Sequence, residues 1–422
     1  MQKRILLFIF AEKQEKMKAF PSTLIALLCC LGLQAQNLDF LRMRIDSIIT
    51  SHPLMEQASC GIMVYDATAD NVIYKHEEKK LHRPASTTKL FTCATALRFL
   101  GADYGIHTSI HTTGKTDKIR VDGEQKKVLE GDLFIKGNFD PTFSSADLDT
   151  LLLKAFVQEE IDSIVGNIYT DMTMKNRTLG GAGWCWDDEG DDFPLLSPLI
   201  IDKDTCFVST FLAKLDSLGI AFQGEVGDSI VPAGATLLAE KCIALGDLLP
   251  ACLKESNNRY AEAILYQLGN LNDVNYDPTS ESLKYVNQFL EELGFDKSDF
   301  RFVDGSGLSF YNAVTPEVEV ELLKYIYLKS DFLGILLNAL PLSGIDGTLK
   351  TRLKEKGTEK RVFAKTGSLT GTYSLAGYLF RADSHTLIFS IMNDGVPHGN
   401  GNGIRQMQDQ ILQVLANPAK VR

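Results

Sequence analysis

Residues 83–89 read Arg83-Pro84-Ala85-Ser86-Thr87-Thr88-Lys89. The apolar residues that follow recur at helical spacing: Leu90, Phe91, Ala94, Leu97 and Leu100. Proline is favoured in the first turn of a helix and glycine just beyond its end, so the pattern predicts an amphipathic helix between Pro84 and Gly101. Residues three apart lie on one helix face, about 5 to 6 Å apart at Cβ, which places the Ser86 hydroxyl beside the Lys89 amine.

Strand-like segments lie on both sides of this helix. Residues Cys60 to Tyr65 and Asn71 to Lys75 predict a hairpin, because a turn-rich stretch separates them. Near the end of the chain the pattern predicts three strands and a last amphipathic helix: Val362 to Lys365, Ser374 to Phe380, Thr386 to Met392, and about Ile404 to Leu415.

The middle of the chain has a different character. Residues 105–245 contain short strand-like pieces, such as Leu133 to Lys136 and Ser163 to Tyr169, between loops rich in Gly and Asp. We therefore expect one discontinuous domain, residues 36–104 and 246–422, interrupted by a mostly-β insertion at 105–245. A chain of 422 residues also exceeds one ordinary compact domain.

The N-terminus resembles an export signal. Lys18 precedes an apolar run from Leu24 to Leu33, and Gln34-Ala35-Gln36 predicts cleavage after Ala35. Residues 1–16 fit no part of such a signal, so translation starting at Met17 is an alternative. No later segment has membrane-spanning length, so we expect a protein outside the cytoplasm with no stable membrane span after cleavage.

Charge and cysteine content narrow the possible functions. The net charge of −11 argues against a nucleic-acid partner. The six cysteines after the signal are not spaced as metal ligands, and free thiols are favoured over a disulfide such as Cys242 to Cys252. No H-E-x-x-H or similar cluster occurs, so no metal or other cofactor is expected.

Three short motifs follow one another along the chain: Ser86-Thr87-Thr88-Lys89, Ser256-Asn257-Asn258 and Lys365-Thr366-Gly367. Each alone is weak evidence, but together they indicate acyl transfer by a serine nucleophile. The hydroxyl of Ser86 needs a base, and Lys89 can serve only when uncharged. Burial and the nearby cation of Lys365 are both expected to lower the pKa of Lys89.

The second and third motifs suggest supporting roles. The hydroxyl of Ser256 can relay a proton, and the amide of Asn258 can hold a substrate carbonyl or orient Lys89, although either residue alone is more simply a helix N-cap. Lys365 and Thr366 are expected to bind a terminal carboxylate.

The strand after Lys365 is also expected to contact the substrate. Gly367 lets an extended substrate approach the strand. The backbone N–H groups of Ser86 and Ser368 are candidates for the oxyanion hole. A catalytic His82 is disfavoured because it leaves Lys89 and Lys365 unexplained.

The chain resembles the class C low-molecular-mass penicillin-binding proteins, the D-alanyl-D-alanine carboxypeptidase/endopeptidase family. Beyond the three motifs, four stretches carry the resemblance: Gly131 to Thr142, Gly183 to Asp188, Asp304 to Ser309 and Gly344 to Leu349. Asn138-Phe139 stands where glycine is common in the family, and Ser368 where threonine is frequent.

The resemblance implies an α/β (α+β) transpeptidase fold, similar to the penicillin-binding-protein and β-lactamase fold, with an antiparallel sheet flanked by helices. It also implies peptidoglycan peptides and β-lactam antibiotics as partners. Carboxypeptidase and endopeptidase action use the same residues, and the sequence leaves both open. A β-lactamase or esterase, and a non-catalytic cell-wall protein, remain alternatives. The paired Trp184 and Trp186, with the aspartates that follow, are interpreted as an anchored loop rather than a sugar or calcium site.

Overall fold

The structure is a computed structural model that describes residues 38–174, 180–185, 194–204, 206–272 and 278–417. The predicted export segment at residues 1–35 lies outside these ranges, as does Trp186 with the aspartates after it.

A five-stranded antiparallel sheet joins the first part of the chain to the last. Its strands are β1 (Ser59–Asp66), β2 (Asn71–His76), β14 (Val362–Leu369), β15 (Thr372–Phe380) and β16 (Thr386–Asp394). They lie in the order β14-β15-β16-β1-β2, and Ile62 of β1 is the register partner of Ile391 of β16. The predicted hairpin and the three predicted late strands are confirmed, and β14 is left at one edge of the sheet.

Helices cover both faces of this sheet. Their bounds are α1 (38–50), α2 (Thr88–Phe99), α5 (Leu245–Leu253), α6 (Asn258–Gly269), α7 (Pro278–Glu292), α8 (Pro316–Leu328), α9 (Ser330–Ala339) and α10 (Gly401–Ala416). Successive strand residues point to opposite faces, so Phe389 packs with α1 and α10, whereas Ile388 packs with the other helices. The alternation of side chains along each strand thus supplies apolar residues to a hydrophobic core on each face of the sheet.

Helix α2 differs from the sequence prediction. It was expected to be amphipathic, but every residue from Thr88 to Leu97 is buried. One of its buried hydroxyls finds a backbone partner, because the Oγ1 of Thr92 donates to the carbonyl of Gly305 at 2.7 Å. The helix ends where predicted, because Leu100 is the C-cap and Gly101 adopts a φ of +84°.

The described part of residues 105–244 forms two further sheets, two α-helices, α3 (Ser145–Leu152) and α4 (Phe207–Ser217), and a π-helical segment, Leu153–Val157, directly after α3. The strands are β3 (Gly105–Thr112), β4 (Lys115–Val121), β5 (Glu124–Glu130), β6 (Leu133–Gly137), β7 (Ser163–Val165), β8 (Ile168–Asp171), β9 (Ala221–Gln223), β10 (Val226–Asp228) and β11 (Thr236–Ala244). One sheet has the order β10-β8-β6-β3-β11 and the other β4-β5-β7-β9. Two short strands, Phe300–Arg301 and Ala313–Val314, pair separately as β12 and β13.

The predicted strand from Ser163 to Tyr169 is wrong as a single element. It divides at Gly166 into β7 and β8, which belong to different sheets. Gly166 has a φ of +149°, and a Cβ there would lie 2.3 Å from the carbonyl oxygen of Gly131. The alternating pattern of the segment does not reveal this break, because it depends on contact with a distant loop.

The first and last residues of the segment 105–244 lie next to each other. Gly105, the first residue of β3, is the register partner of Ala244, the last residue of β11, and α5 begins at the next residue. Among the described residues, no helix is both long enough and apolar enough to cross a membrane.

Candidate active site

Ser86 lies in a short 3₁₀ turn, Ala85–Thr87, that leads directly into α2. The Oγ1 of Thr87 donates to the carbonyl of Pro84 at 3.0 Å and closes the turn. Ala85 adopts a φ of +50°, an uncommon conformation for a residue with a side chain. The surrounding structure must therefore hold the turn in place.

Two glycines allow neighbouring segments to approach this turn. A Cβ on Gly307 would lie 1.9 Å from the carbonyl oxygen of Ala85, and a Cβ on Gly367 would lie 2.5 Å from that of Pro84. The sequence analysis assigned Gly367 to substrate approach. The structure shows that its missing side chain also lets β14 pack against the turn that carries Ser86, and the role in substrate approach stays a prediction.

Lys89, one helical turn after Ser86, is fully buried. Its Nζ lies 2.9 Å from the Oγ of Ser86. The same nitrogen donates to the Oδ1 of Asn258 at 2.7 Å and to the carbonyl of Ser306 at 2.6 Å. The amine therefore has three oxygen partners, of which only the Ser86 hydroxyl carries a proton.

Lys365 connects the second and third motifs. Its side chain is also fully buried, and its Nζ donates to the Oγ of Ser256 at 2.8 Å and to the carbonyl of Thr366 at 2.7 Å. Ser256 adopts a φ of +62° in the turn between α5 and α6. Neither Ser256 nor Asn258 is the N-cap of α6, the simpler role that the sequence allowed for them. Asn257 holds that position, and its side chain accepts from two backbone N–H groups.

Burial lowers the pKa of both lysines, because a buried ammonium group loses its hydration. The carboxyl groups of Asp304 and Glu262 oppose this lowering at Lys89. Repulsion from Lys89 adds to it at Lys365, whose pKa falls well below its ordinary value. The like-charge repulsion expected from the sequence therefore acts mainly on Lys365, and both amines lose protons more readily than free lysine.

These groups surround one cleft of about 1010 Å³ along the edge strand β14. The sequence-predicted residues that line it are Ser86, Ser256, Asn258, Thr366, Gly367 and Ser368. Lys89 and Lys365 lie beneath it, bonded to lining residues. Residues from all three motifs, far apart in the chain, thus surround one cleft.

The chain also matches a known protein family. The sequence profile described as the D-Ala-D-Ala carboxypeptidase 3 (S13) family matches residues 41–212 and 199–417. The chain belongs to this family. It is therefore a serine hydrolase of the D-Ala-D-Ala carboxypeptidase type.

Several relatives of this carboxypeptidase are similar over most of its length. A D-alanyl-D-alanine carboxypeptidase of an Actinomadura species is 26% identical and covers 90% of this chain and 85% of the relative. D-alanyl-D-alanine carboxypeptidase DacB of Haemophilus influenzae is 24% identical, over 82% of this chain and 88% of the relative. The crystal structure of penicillin-binding protein 4 from that organism superposes with a TM-score of 0.79 at 22% identity, over 88% of this chain and 99% of the other. This likeness confirms the predicted fold class.

The sequence analysis missed a set of groups that position Lys89 in this carboxypeptidase. The carbonyl of Ser306 reaches Lys89 because the buried carboxyl of Glu262 accepts from the N–H groups of Gly305 (3.0 Å) and Ser306 (2.8 Å). Burial and the neighbouring Asp304 raise the pKa of Glu262 to about 8. The stretch Asp304 to Ser309 was noted for its resemblance to the family, but its glycines were the only signal of a tightly built loop.

Asp304 organises the same loop from its other end. Its carboxylate accepts from the backbone N–H groups of Gly307 (2.9 Å) and Ser309 (2.7 Å). The indole N–H of Trp184 donates to the same carboxylate at 2.8 Å. This bond supports the interpretation of Trp184 as part of an anchored loop.

Other candidate groups lie away from the cleft. His82 is buried and contacts the Oγ of Ser59 at 3.3 Å, and burial lowers its pKa to about 4. The Sγ of Cys252 lies 3.6 Å from that of Cys93, whereas Cys242 is exposed beside His107. In the described part of the chain, no group of His, Cys, Asp and Glu side chains is arranged to hold a metal ion.

Glu319, which lies next to the turn that carries Ser86, makes the folding stability of the protein depend on pH. It is fully buried on α8, it accepts a hydrogen bond from Ser390 at 2.7 Å, and burial raises its pKa to about 7. The folded state therefore holds this proton more tightly than the unfolded state. The stability that depends on the proton is present below the unfolded-state pKa, about 4.5, and is lost as pH rises through about 7.

We expect Glu319→Gln to remove this component, on the order of 3 kcal/mol between pH 4.5 and 8. Urea denaturation of both proteins at pH 5 and pH 8 measures it. The variant should gain stability relative to wild type at pH 8 and much less at pH 5. An equal difference at the two pH values would contradict the assignment.

Proposed function

We propose that Ser86 attacks the carbonyl of the penultimate D-alanine in peptidoglycan stem peptides. The Oγ–carbon bond forms, the bond to the terminal D-alanine nitrogen breaks, and water then hydrolyses the acyl-enzyme. The observation that supports this most strongly is the position of the Lys89 amine between Ser86, Asn258 and Ser306.

The positions of its three oxygen partners determine where the lone pair of Lys89 points when the amine acts as a base. The Oδ1 of Asn258 and the carbonyl of Ser306 only accept hydrogen bonds, so each takes one N–H of a neutral amine. The lone pair then points to the third partner, the Ser86 hydroxyl. Lys89 takes the proton as Ser86 attacks, and its lowered pKa increases the uncharged fraction.

A second proton path serves the leaving group. The hydroxyl of Ser256 lies in the cleft and is bonded to the Nζ of Lys365. Ser256 gives its proton to the departing amine of D-alanine and is reprotonated by Lys365. The lowered pKa of Lys365 suits this donor role, because its ammonium form is already destabilised by burial.

The edge strand β14 binds the substrate. An extended peptide adds to the outer side of β14 beyond Ala364, since Val362 and Ala364 already bond there to Ser343 and Pro341. The Thr366 and Ser368 side chains line the cleft and bind the substrate's carboxylate, and Lys365 lies beneath them, bonded to Ser256. The backbone N–H groups of Ser86 and Ser368 form the oxyanion hole, where one donor typically contributes about 3 to 4 kcal/mol.

Further parts of the proposal concern the whole chain. Residues 36–104 and 246–422 form the catalytic domain, and residues 105–245 form an insertion. Residues 1–35 direct export, which places the enzyme in the periplasm or an equivalent compartment. Endopeptidase action on cross-links uses the same residues. A β-lactam is present in one structure of the Haemophilus influenzae protein, and we propose that β-lactams acylate Ser86 here.

Intact-mass analysis after penicillin treatment tests the proposal. We expect a stoichiometric increase equal to the mass of the antibiotic, mapped by peptide sequencing to the peptide that contains Ser86. The same preparation should release D-alanine from a peptide ending in D-Ala-D-Ala. An adduct on another residue would refute the assignment of Ser86, and rapid loss of the adduct as hydrolysed penicillin would identify a β-lactamase instead.

A further inference from the structure

An arginine on the last helix projects into the cleft without a carboxylate partner. Arg405 of α10 lines the cleft and is half-buried. Its Nη2 donates to the Oγ of Ser368 at 3.3 Å and its Nη1 to the Oδ1 of Asn402 at 3.2 Å. In the part of the chain that the structure describes, Arg405 forms no ion pair.

The other positive groups near the cleft are already engaged. Arg352 also lines the cleft, but its guanidinium binds the carboxylate of Asp409 through two nitrogens, with a shortest distance of 2.6 Å. Lys365 is fully buried, and its amine is bonded to Ser256 and to the Thr366 carbonyl. Among the described residues that line the cleft, Arg405 is therefore the cation that remains accessible to a carboxylate bound along β14.

Arg405 is also held in place before any ligand binds. Its guanidinium lies over the ring of Tyr373, with the Cζ atom 4.9 Å from the ring centroid. Tyr373 is the register partner of Ser368. The ring of Tyr373, the hydroxyl of Ser368 and the guanidinium of Arg405 therefore lie at the same end of the cleft. A stacked guanidinium loses less conformational freedom on binding than a free side chain does.

We propose that Arg405 is a specificity-determining residue that binds the C-terminal carboxylate of the substrate, together with the hydroxyl of Ser368. This inference rests on the proposed function and adds a residue from outside the three motifs. Arg405 favours peptides that end in a free carboxylate over peptides in which that group is an amide. It touches the substrate and takes no part in proton transfer.

The test compares two substrates, a tripeptide ending in D-Ala-D-Ala with a free carboxylate and the same tripeptide with a C-terminal carboxamide. We expect Arg405→Gln to lower kcat/KM for the carboxylate peptide by about 10- to 100-fold, the range of a lost charge-assisted hydrogen bond. The amide peptide should change by less than about 3-fold. Arg405→Lys should retain part of the preference, because it keeps the charge but not the planar fork.

Arg301→Gln is the matched control, because Arg301 also lies over a tyrosine ring, that of Tyr311, at 5.4 Å, and does not line the cleft. A loss of equal size on both peptides, an unchanged carboxylate preference, or the same loss in Arg301→Gln would overturn the role of Arg405. Failure of the proposed function is visible separately, since the wild-type enzyme would then release neither D-alanine from the carboxylate peptide nor D-alanine amide from the carboxamide peptide. Thermal unfolding of each variant distinguishes misfolding from a loss of binding.

Discussion

Replacing Ser86 with alanine should lower the release of D-alanine by about 10⁴-fold or more and abolish covalent labelling by a fluorescent penicillin. The expected loss is this large because, in the proposed mechanism, Ser86 supplies the atom that forms the acyl bond. Ser86 is half-buried and only its hydroxyl is removed, so the free energy of unfolding should change by no more than about 1 kcal/mol. Product release measured by mass spectrometry and gel fluorescence after labelling give the two readouts.

Ser256→Ala is the matched control, because Ser256 is the other serine bonded to a buried lysine in this cleft. We expect this variant to acylate more slowly but to carry the penicillin on Ser86. Labelling that persists in Ser86→Ala and disappears in Ser256→Ala would exchange the roles of the two serines.

Lys89→Ala should reduce acylation by about 10²- to 10⁴-fold, the usual contribution of a general base. The loss is expected because the amine that faces Ser86 at 2.9 Å is removed and no other group bonds to that hydroxyl in the described structure. The substitution also leaves the Oδ1 of Asn258 and the carbonyl of Ser306 without this donor, so we expect a destabilisation of about 1 to 3 kcal/mol. Stopped-flow acylation by a chromogenic β-lactam measures the rate.

Rescue by added primary amines separates a base from a structural contact. A small alkylamine can occupy the space left by the Lys89 side chain, and the recovered rate should rise with pH in proportion to the uncharged amine. Quaternary ammonium ions of similar size, which have no lone pair, should not rescue. Full acylation activity in Lys89→Ala without any amine would eliminate Lys89 as the base.

Local sequence signals predicted most elements of the catalytic sheet. The hairpin Ser59–Asp66 and Asn71–His76, the three late strands and the last helix lie within a few residues of their predicted limits. These elements are set by the alternation of apolar residues and by nearby turn residues such as Asp66, whose carboxylate accepts from the N–H groups of Thr68 and Ala69 at 2.9 and 3.0 Å. Both signals act over a few positions, so they are visible without the fold.

The predictions that were wrong depended on long-range contacts. Helix α2 was expected to show one polar face to water, but every residue from Thr88 to Leu97 is buried, and the hydroxyl of Thr92 bonds to the carbonyl of Gly305. The strand predicted from Ser163 to Tyr169 divides at Gly166, because that glycine packs against the carbonyl of Gly131. In both cases the residue type was consistent with two environments, and only packing chose between them.

By itself, the sequence determined the candidates for the chemistry: a serine and a lysine one helical turn apart, and two further motifs of recognisable composition. The tertiary structure alone decided how they act. Lys89 is oriented by a carbonyl 217 positions away in the chain, and Arg405 enters the cleft from the last helix. The physical reason is that local periodicity records which face of an element is buried, whereas the direction of a lone pair and the pairing of a charge depend on contacts that only chain folding creates.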